Sequence, residues 1–305
     1  MTAIMRKELA DYFNSIRFLV LFILVVATSG YGIFAAYSGI RQALIESGAV
    51  TGSGFVFLAL FTSGEGIFFT LVFFMMLLVP IIGIALGFDA INSERSGGTL
   101  SRLLSQPVYR DSVINGKFLS GIITLALMVV ITLLLVSGYG LRMIGVPPMA
   151  EEIIRLFVYI VLIVIYGAFW MGLAMLFSVV NRKVAVSLLI TIVIWLIFFL
   201  WTLMVLIAPE LIAKIAQSAE GQLTLMRISP LYLFLEATIV LLVPAYRLGF
   251  MTMTAGELSY VIPNPLSLGQ SLLTIWPHFA ILVSLSVICF AISYVLFMRQ
   301  EIRAT

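Results

Sequence analysis

Residues 88–118 read F-D-A-I-N-S-E-R-S-G-G-T-L-S-R-L-L-S-Q-P-V-Y-R-D-S-V-I-N-G-K-F and stand between two apolar runs, Ile67–Phe88 and Phe118–Tyr139. Each run reaches the roughly 20 residues needed to cross a bilayer as a helix. The polar stretch is therefore a loop between two membrane spans, and it carries Arg95, Arg102, Arg110 and Lys117. Its pattern predicts more than a connector. Thr99 can cap a short helix with Leu100, Leu103 and Leu104 on one side. Pro107 ends that helix, because the residue before a proline is pushed out of the helical region. A membrane protein with a short amphipathic helix in such a loop offers a handle to something soluble.

The same reading extends to the whole chain. Its 305 residues are 62% hydrophobic and 10% charged, against about 45–50% and 25% for soluble domains, so a multi-pass membrane protein is expected. Besides the two runs above, Phe18–Ala36, Leu156–Val180, Val184–Ala208 and Phe279–Met298 are long enough to span, and none of the six contains Asp, Glu, Lys, Arg or His. A charge at mid-bilayer costs at least ~2.5–3.5 kcal/mol. The first run follows Glu8 and Asp11 without a convincing A-x-A cleavage site, and reads as a retained span rather than a signal peptide. With the N-terminus inside, the inner segments hold eleven Lys and Arg residues and the outer ones six. By the positive-inside rule both termini are expected in the cytoplasm. The net charge of +3 comes from these span-end cations and does not point to nucleic acid. The chain reads as a single domain, residues 1–305.

Three smaller patterns refine this plan. Met5, Leu9, Tyr12, Phe13 and Ile16 recur at helical spacing opposite Arg6, Lys7, Glu8, Asp11 and Asn14. That predicts a helix lying along the interface, with a lipid face and a wet face; the plainer reading is a solvated start to the first span. Residues 209–275 form the largest outer segment. Within it Leu231–Val243 is too short to span unaided and predicts a re-entrant or surface-lying helix. Gly83 and Gly87 form G-x-x-x-G in the second span, with a looser Ala168/Gly172 pair in the fourth. Such spacing lets helices approach closely, although glycine is common in membrane helices without any contact.

The sequence offers little chemistry of its own. A P-loop needs G-x-x-x-x-G-K-[ST], but ahead of Gly116-Lys117 the first glycine is replaced by Asp111, and Phe118 follows. One histidine, His278, supplies neither H-E-x-x-H nor a Cys/His metal site, and no cofactor is implied. Ser137 and Ser178 lie in apolar runs without an ionisable neighbour and read as packing or back-bonding groups. The lone Cys289 reads as packing. His278 reads as an interfacial residue beside Trp276. Glu65 reads as a helix cap, with an exit-path carboxylate as its rival. Glu236 reads as a solvated surface acid, with a substrate contact as its rival. Charge-free spans also leave no ion or proton relay of the kind secondary transporters use, so an energy source is expected from another subunit.

Glu94-Arg95, Gly98-Thr99-Leu100, Leu103-Leu104, Pro107, Arg110 and Gly116-Lys117, together with Arg6-Lys7-Glu8-Leu9, Tyr12-Phe13 and Ser15, resemble the signature of type-2 ABC transporter permeases, in particular those of nitrous-oxide-reductase maturation systems. The likeness covers the chain's plan, with its sharp motifs in residues 6–17 and 89–117. It implies an all-α integral membrane fold of six transmembrane helices, an N-terminal interfacial elbow helix and a cytoplasmic coupling helix. It implies a plasma (inner) membrane location, a separate ABC ATPase subunit, and a second permease copy or a homologue as partner, in contact with membrane lipid. Asn92, Glu94, Arg95, Thr99, Leu100, Leu103 and Leu104 would be the ATPase-coupling residues, and Gly83 and Gly87 packing residues. The expected function is ATP-driven export. The alternative is a membrane subunit that transmits ATPase motion to an outside protein partner. An intramembrane enzyme ranks behind both.

Overall fold

The computed structural model describes residues 2–47, 55, 57–63, 70–98, 109–216, 218–243 and 266–300. Among these residues the regular elements are all helices: α1 (Thr2–Phe13), α2 (Ile16–Ser47), α3 (Ala59–Thr62), α4 (Leu71–Gly87), α5 (Asn92–Ser96), α6 (Arg110–Ile144), α7 (Ala150–Val180), α8 (Val184–Ile207), α9 (Pro209–Ile215), α10 (Ala219–Met226), α11 (Pro230–Leu242) and α12 (Leu268–Arg299). Six segments are long and apolar enough to cross a bilayer: α2, α4 with its continuation α5, α6, α7, α8 and α12. The chain is an all-α integral membrane protein with the six spans its sequence announces.

Four of the spanning helices, α2, α6, α7 and α12, overrun the apolar runs. Helix α6 begins at Arg110 rather than Phe118, and α12 at Leu268 rather than Phe279. Backbone hydrogen bonding does not stop at the hydrocarbon edge, so a helix continues until a cap or breaker ends it. For α6 that breaker is Gly145, in the left-handed conformation at φ 73°. Helix α12 starts with a capping box, in which Ser267 accepts from the Gln270 N–H and Gln270 from that of Ser267. Helix α4 starts at Leu71, where the Thr70 hydroxyl accepts from the Phe73 N–H at 3.2 Å. Thr70 is thus the cap, and Glu65 lies outside the described residues.

Helices α4 and α7 form the core, with 78% and 61% of their most apolar windows buried, against 17% for α8 and α12. Their seam is set by small residues. A methyl group built on Gly83 would lie 2.6 Å from the Gly167 carbonyl oxygen, and one on Gly87 would lie 2.5 Å from that of Met171. Backbone cannot give way as a flexible side chain can, so even alanine there forces the helices apart, at about 1–3 kcal/mol. The helix apposed to this pair belongs to the same chain. Helix α8 turns Leu189, Ile197 and Leu200 outward, an apolar surface that needs lipid as its solvent.

Helix α11 corrects part of the sequence reading. It does not lie on the surface: all 13 of its residues are buried. A helix apolar on every side gains from burial on every side. Pro230 fits its first turn, where no N–H is needed, and the axis bends by 113° from α10. The re-entrant alternative agrees with this break.

Candidate functional site

The described ends of the polar loop, Asp89–Gly98 and Tyr109–Lys117, meet α1 and the ends of α7 and α12 at one end of the bundle. Lys117 is the centre of this region. Its Nζ lies 2.8 Å from Glu8 Oε1 on α1 and 2.9 Å from Glu94 Oε1 on α5. All three side chains are largely buried, with 5%, 9% and 14% exposed. One ammonium thus joins three segments far apart in sequence.

This arrangement corrects the placement of Glu8 on a wet face. Ile4, Glu8 and Tyr12 are four residues apart and share one stripe of α1. Ile4 packs against α6, 3.0 Å from where a methyl on Gly116 would sit. The Tyr12 hydroxyl donates to the Leu86 carbonyl at 3.0 Å. Burial, helped by the nearby carboxylates of Glu8, Asp89, Glu94 and Asp11, pushes the Tyr12 phenol well above its ordinary pKa, so it stays a donor. The sequence pattern puts Met5, Leu9, Tyr12, Phe13 and Ile16 on the apolar face with Glu8 opposite; the packed stripe is instead the neighbouring one, Ile4, Glu8 and Tyr12.

Other contacts fasten the same end. Ser178 Oγ accepts the backbone N–H groups of Ile91 and Asn92 at 3.0 and 3.2 Å, capping the start of α5. Arg95 donates to the Gln300 side-chain oxygen. Arg110 donates to the Gln300 carbonyl at 3.2 Å, and the Gln300 amide donates to the Val179 carbonyl at 2.9 Å. Arg17 pairs with Asp89. Asn92 is wholly buried, and its side-chain amide has no partner among the described residues. Of the residues assigned to coupling, Asn92 and Glu94 therefore point into the protein, and Arg95 is half-buried. Thr99, Leu100, Leu103 and Leu104 lie outside the described residues. Sequence reading missed Glu8, Lys117, Ser178 and Gln300 as members of this site.

A second polar cluster occupies the opposite end. Glu236, on α11, is 1% exposed. Arg227 grips its two oxygens at 2.8 and 3.0 Å, and His278 Nε2 lies 2.8 Å from Oε2. Glu236 is thus not a solvated acid, and His278, 2% exposed, is not an interfacial residue. The apolar surroundings that suggested an interface belong to a packed interior, where a buried charge must be paired. Nearby, Arg155 donates to the Leu241 carbonyl, the Ser271 hydroxyl, the Leu266 carbonyl and twice to Glu151, at 2.8–3.1 Å. Glu152 accepts the Phe57, Leu58 and Met149 N–H groups. Among the described residues no group of three His, Cys, Asp or Glu residues is arranged to hold a metal ion. Both clusters bind protein segments to each other.

Residues 2–302 match the family model of the ABC-2 family transporter proteins. The chain is also similar to two proteins named probable ABC transporter permease protein NosY. With that of Pseudomonas aeruginosa it shares 33% identity over 150 residues, 49% of this chain and 46% of the relative. With that of Stutzerimonas stutzeri it shares 36% over 76 residues, 25% of each. The chain therefore matches less than half the length of these curated relatives.

Proposed function

The chain belongs to the ABC-2 family of transporter proteins, and from that premise we propose that it is the transmembrane permease subunit of an ATP-driven exporter. A separate ATPase binds residues 89–117, and the permease works as a pair, either with a second copy or with a homologue. The whole chain acts as one permease domain, in a plasma (inner) membrane with both termini cytoplasmic. No P-loop motif occurs in the sequence, so the chemistry of hydrolysis is assigned to the partner and the permease itself is non-catalytic.

One observation carries this reading: both described ends of the loop are fixed to the bundle by buried or tightly held polar contacts. Force applied to residues 99–108 would enter α4 through α5, α6 through Arg110–Lys117, α1 through Glu8 and α12 through Gln300. A loosely tethered loop would dissipate that force. Four segments would respond together, as ATPase closure must make them do if it is to open a path.

The test compares two substitutions in the loop. Leu103→Asp places a charge where a partner groove would desolvate it, and losing such an anchor costs ~2 kcal/mol or more. The expected outcome is loss of co-purified ATPase, or ATP hydrolysis no longer coupled to transport, with normal membrane insertion. Ser101→Asp, on the other side of the helix that the sequence pattern predicts there, is expected to be milder. Near-normal ATPase binding by both variants overturns the assignment. Robust hydrolysis by the purified chain alone would do the same for its non-catalytic role.

A further inference from the structure

A cleft of about 570 Å³ opens between α1, the start of α2 and the end of α4. It lies where two spans end, at the level of a bilayer surface. One wall, on α1, presents Lys7 and Asp11; the other presents Arg17 and Asp89. Each wall thus brings one charge of each sign. Phe18, Leu21, Leu86 and Met128 line the cleft as well, so it is polar at its mouth and apolar on its flank.

The charges at the mouth are not used up. Lys7 Nζ stands 4.0 Å from Glu8 Oε1 and 3.9 Å from Asp11 Oδ2, beyond hydrogen-bond distance. The Arg17 fork carries five N–H donors and, among the described residues, places one nitrogen on Asp89. The side chains of Lys7, Asp11 and Arg17 are all more than half exposed. Three cations, Lys7, Arg17 and Lys117, line the cleft beside four carboxylates, Glu8, Asp11, Asp89 and Glu94.

We propose that this cleft holds one phospholipid with a phosphoethanolamine headgroup. Lys7 and Arg17 receive the phosphate, Asp11 and Asp89 the ammonium, and the acyl chains run past Phe18 and Leu21. The charge count selects the headgroup. A purely anionic lipid would add negative charge to a lining that already has one carboxylate in excess, and would draw Lys7 and Arg17 from Asp11 and Asp89 without offering those acids a cation in return. A choline headgroup has the right charges but no N–H to donate. A primary ammonium has three donors, and charge-assisted hydrogen bonds to carboxylate and phosphate are about twice as strong as neutral ones. The proposal requires only that the six helices cross a bilayer, and it stands or falls separately from the transport reading.

The full chain, purified in detergent and stripped of lipid, is offered equal amounts of phosphatidylethanolamine, phosphatidylcholine and phosphatidylglycerol with the same acyl chains. Retained lipid is then counted by native mass spectrometry. The expected result is one phosphatidylethanolamine kept over either competitor by about fivefold or more. A Lys7→Gln/Asp11→Asn double variant, altered only at exposed positions, should keep its melting temperature and lose that preference. Equal retention of the three lipids, or an unchanged preference in the variant, overturns the proposal. Retention of glycerophosphoethanolamine equal to that of the lipid, at the same molar ratio, also overturns it, by assigning the site to a soluble ligand.

Discussion

The two ends of the bundle solve one electrostatic problem with opposite signs. At the α1 end a single cation, Lys117, sits between two carboxylates. At the other end a single carboxylate, Glu236, sits between the Arg227 guanidinium and the His278 imidazole. The difference lies in what happens if the centre is removed. At the far end Arg227, 29% exposed, can turn to solvent. At the α1 end Glu8 and Glu94, 9% and 14% exposed, would be left as two largely buried carboxylates that repel each other. The α1 end is therefore the junction expected to lose more when its centre is removed, and it is the one that holds the polar loop.

The largest expected effect is at that end. Lys117→Met leaves two buried carboxylates without their shared ammonium, and breaking a buried pair in this way costs ~3–5 kcal/mol. Thermal unfolding in detergent should show this loss, and Lys117→Arg should recover part of it. Next comes Arg155→Lys at the far end. Five hydrogen bonds converge on the Arg155 guanidinium, and lysine has three donors. Because two of the five end on the same Glu151 oxygen, one acceptor is left unmet at ~1–3 kcal/mol and one further bond is lost at ~1 kcal/mol, roughly 2–4 kcal/mol together. Glu236→Gln should cost less, about 1.5–3 kcal/mol, the worth of hydrogen bonds to a charged group. If it proves as damaging as Lys117→Met, the contrast between the ends fails. Lys7→Gln, which removes an exposed cation standing 3.9–4.0 Å from Asp11 and Glu8, should change stability by less than ~0.5 kcal/mol. A larger loss would mean that Lys7 belongs to the buried junction.

The six spans were legible because charge-free runs of this length admit few other readings. Their ends were less so, since α6 and α12 continue as helix through polar sequence that hydropathy assigns to loops. The Gly83/Gly87 spacing was visible, but its partner, the Gly167–Met171 stretch of α7, was not. The polar clusters escaped for one reason. Glu8 and Lys117 are 109 residues apart, and Glu236 and His278 are 42 apart. A local window sees a lone acid and assigns it to water, because its counter-charge lies elsewhere in the chain. Residues 99–108, where the apolar loop helix was expected, lie outside the described part of the structure.

The same separations set a timetable for synthesis. Chains emerge at about 5–20 residues per second, so Glu8 waits roughly 5–20 s for Lys117 to follow it. During that interval Glu8 lacks the buried ammonium it finally pairs with, and the first span must enter the bilayer without its anchor. Glu236 is made nine residues after Arg227 and waits only a few seconds for His278. Of these two charge centres, the one that joins α1 to the loop is thus the one that the nascent chain leaves open longer.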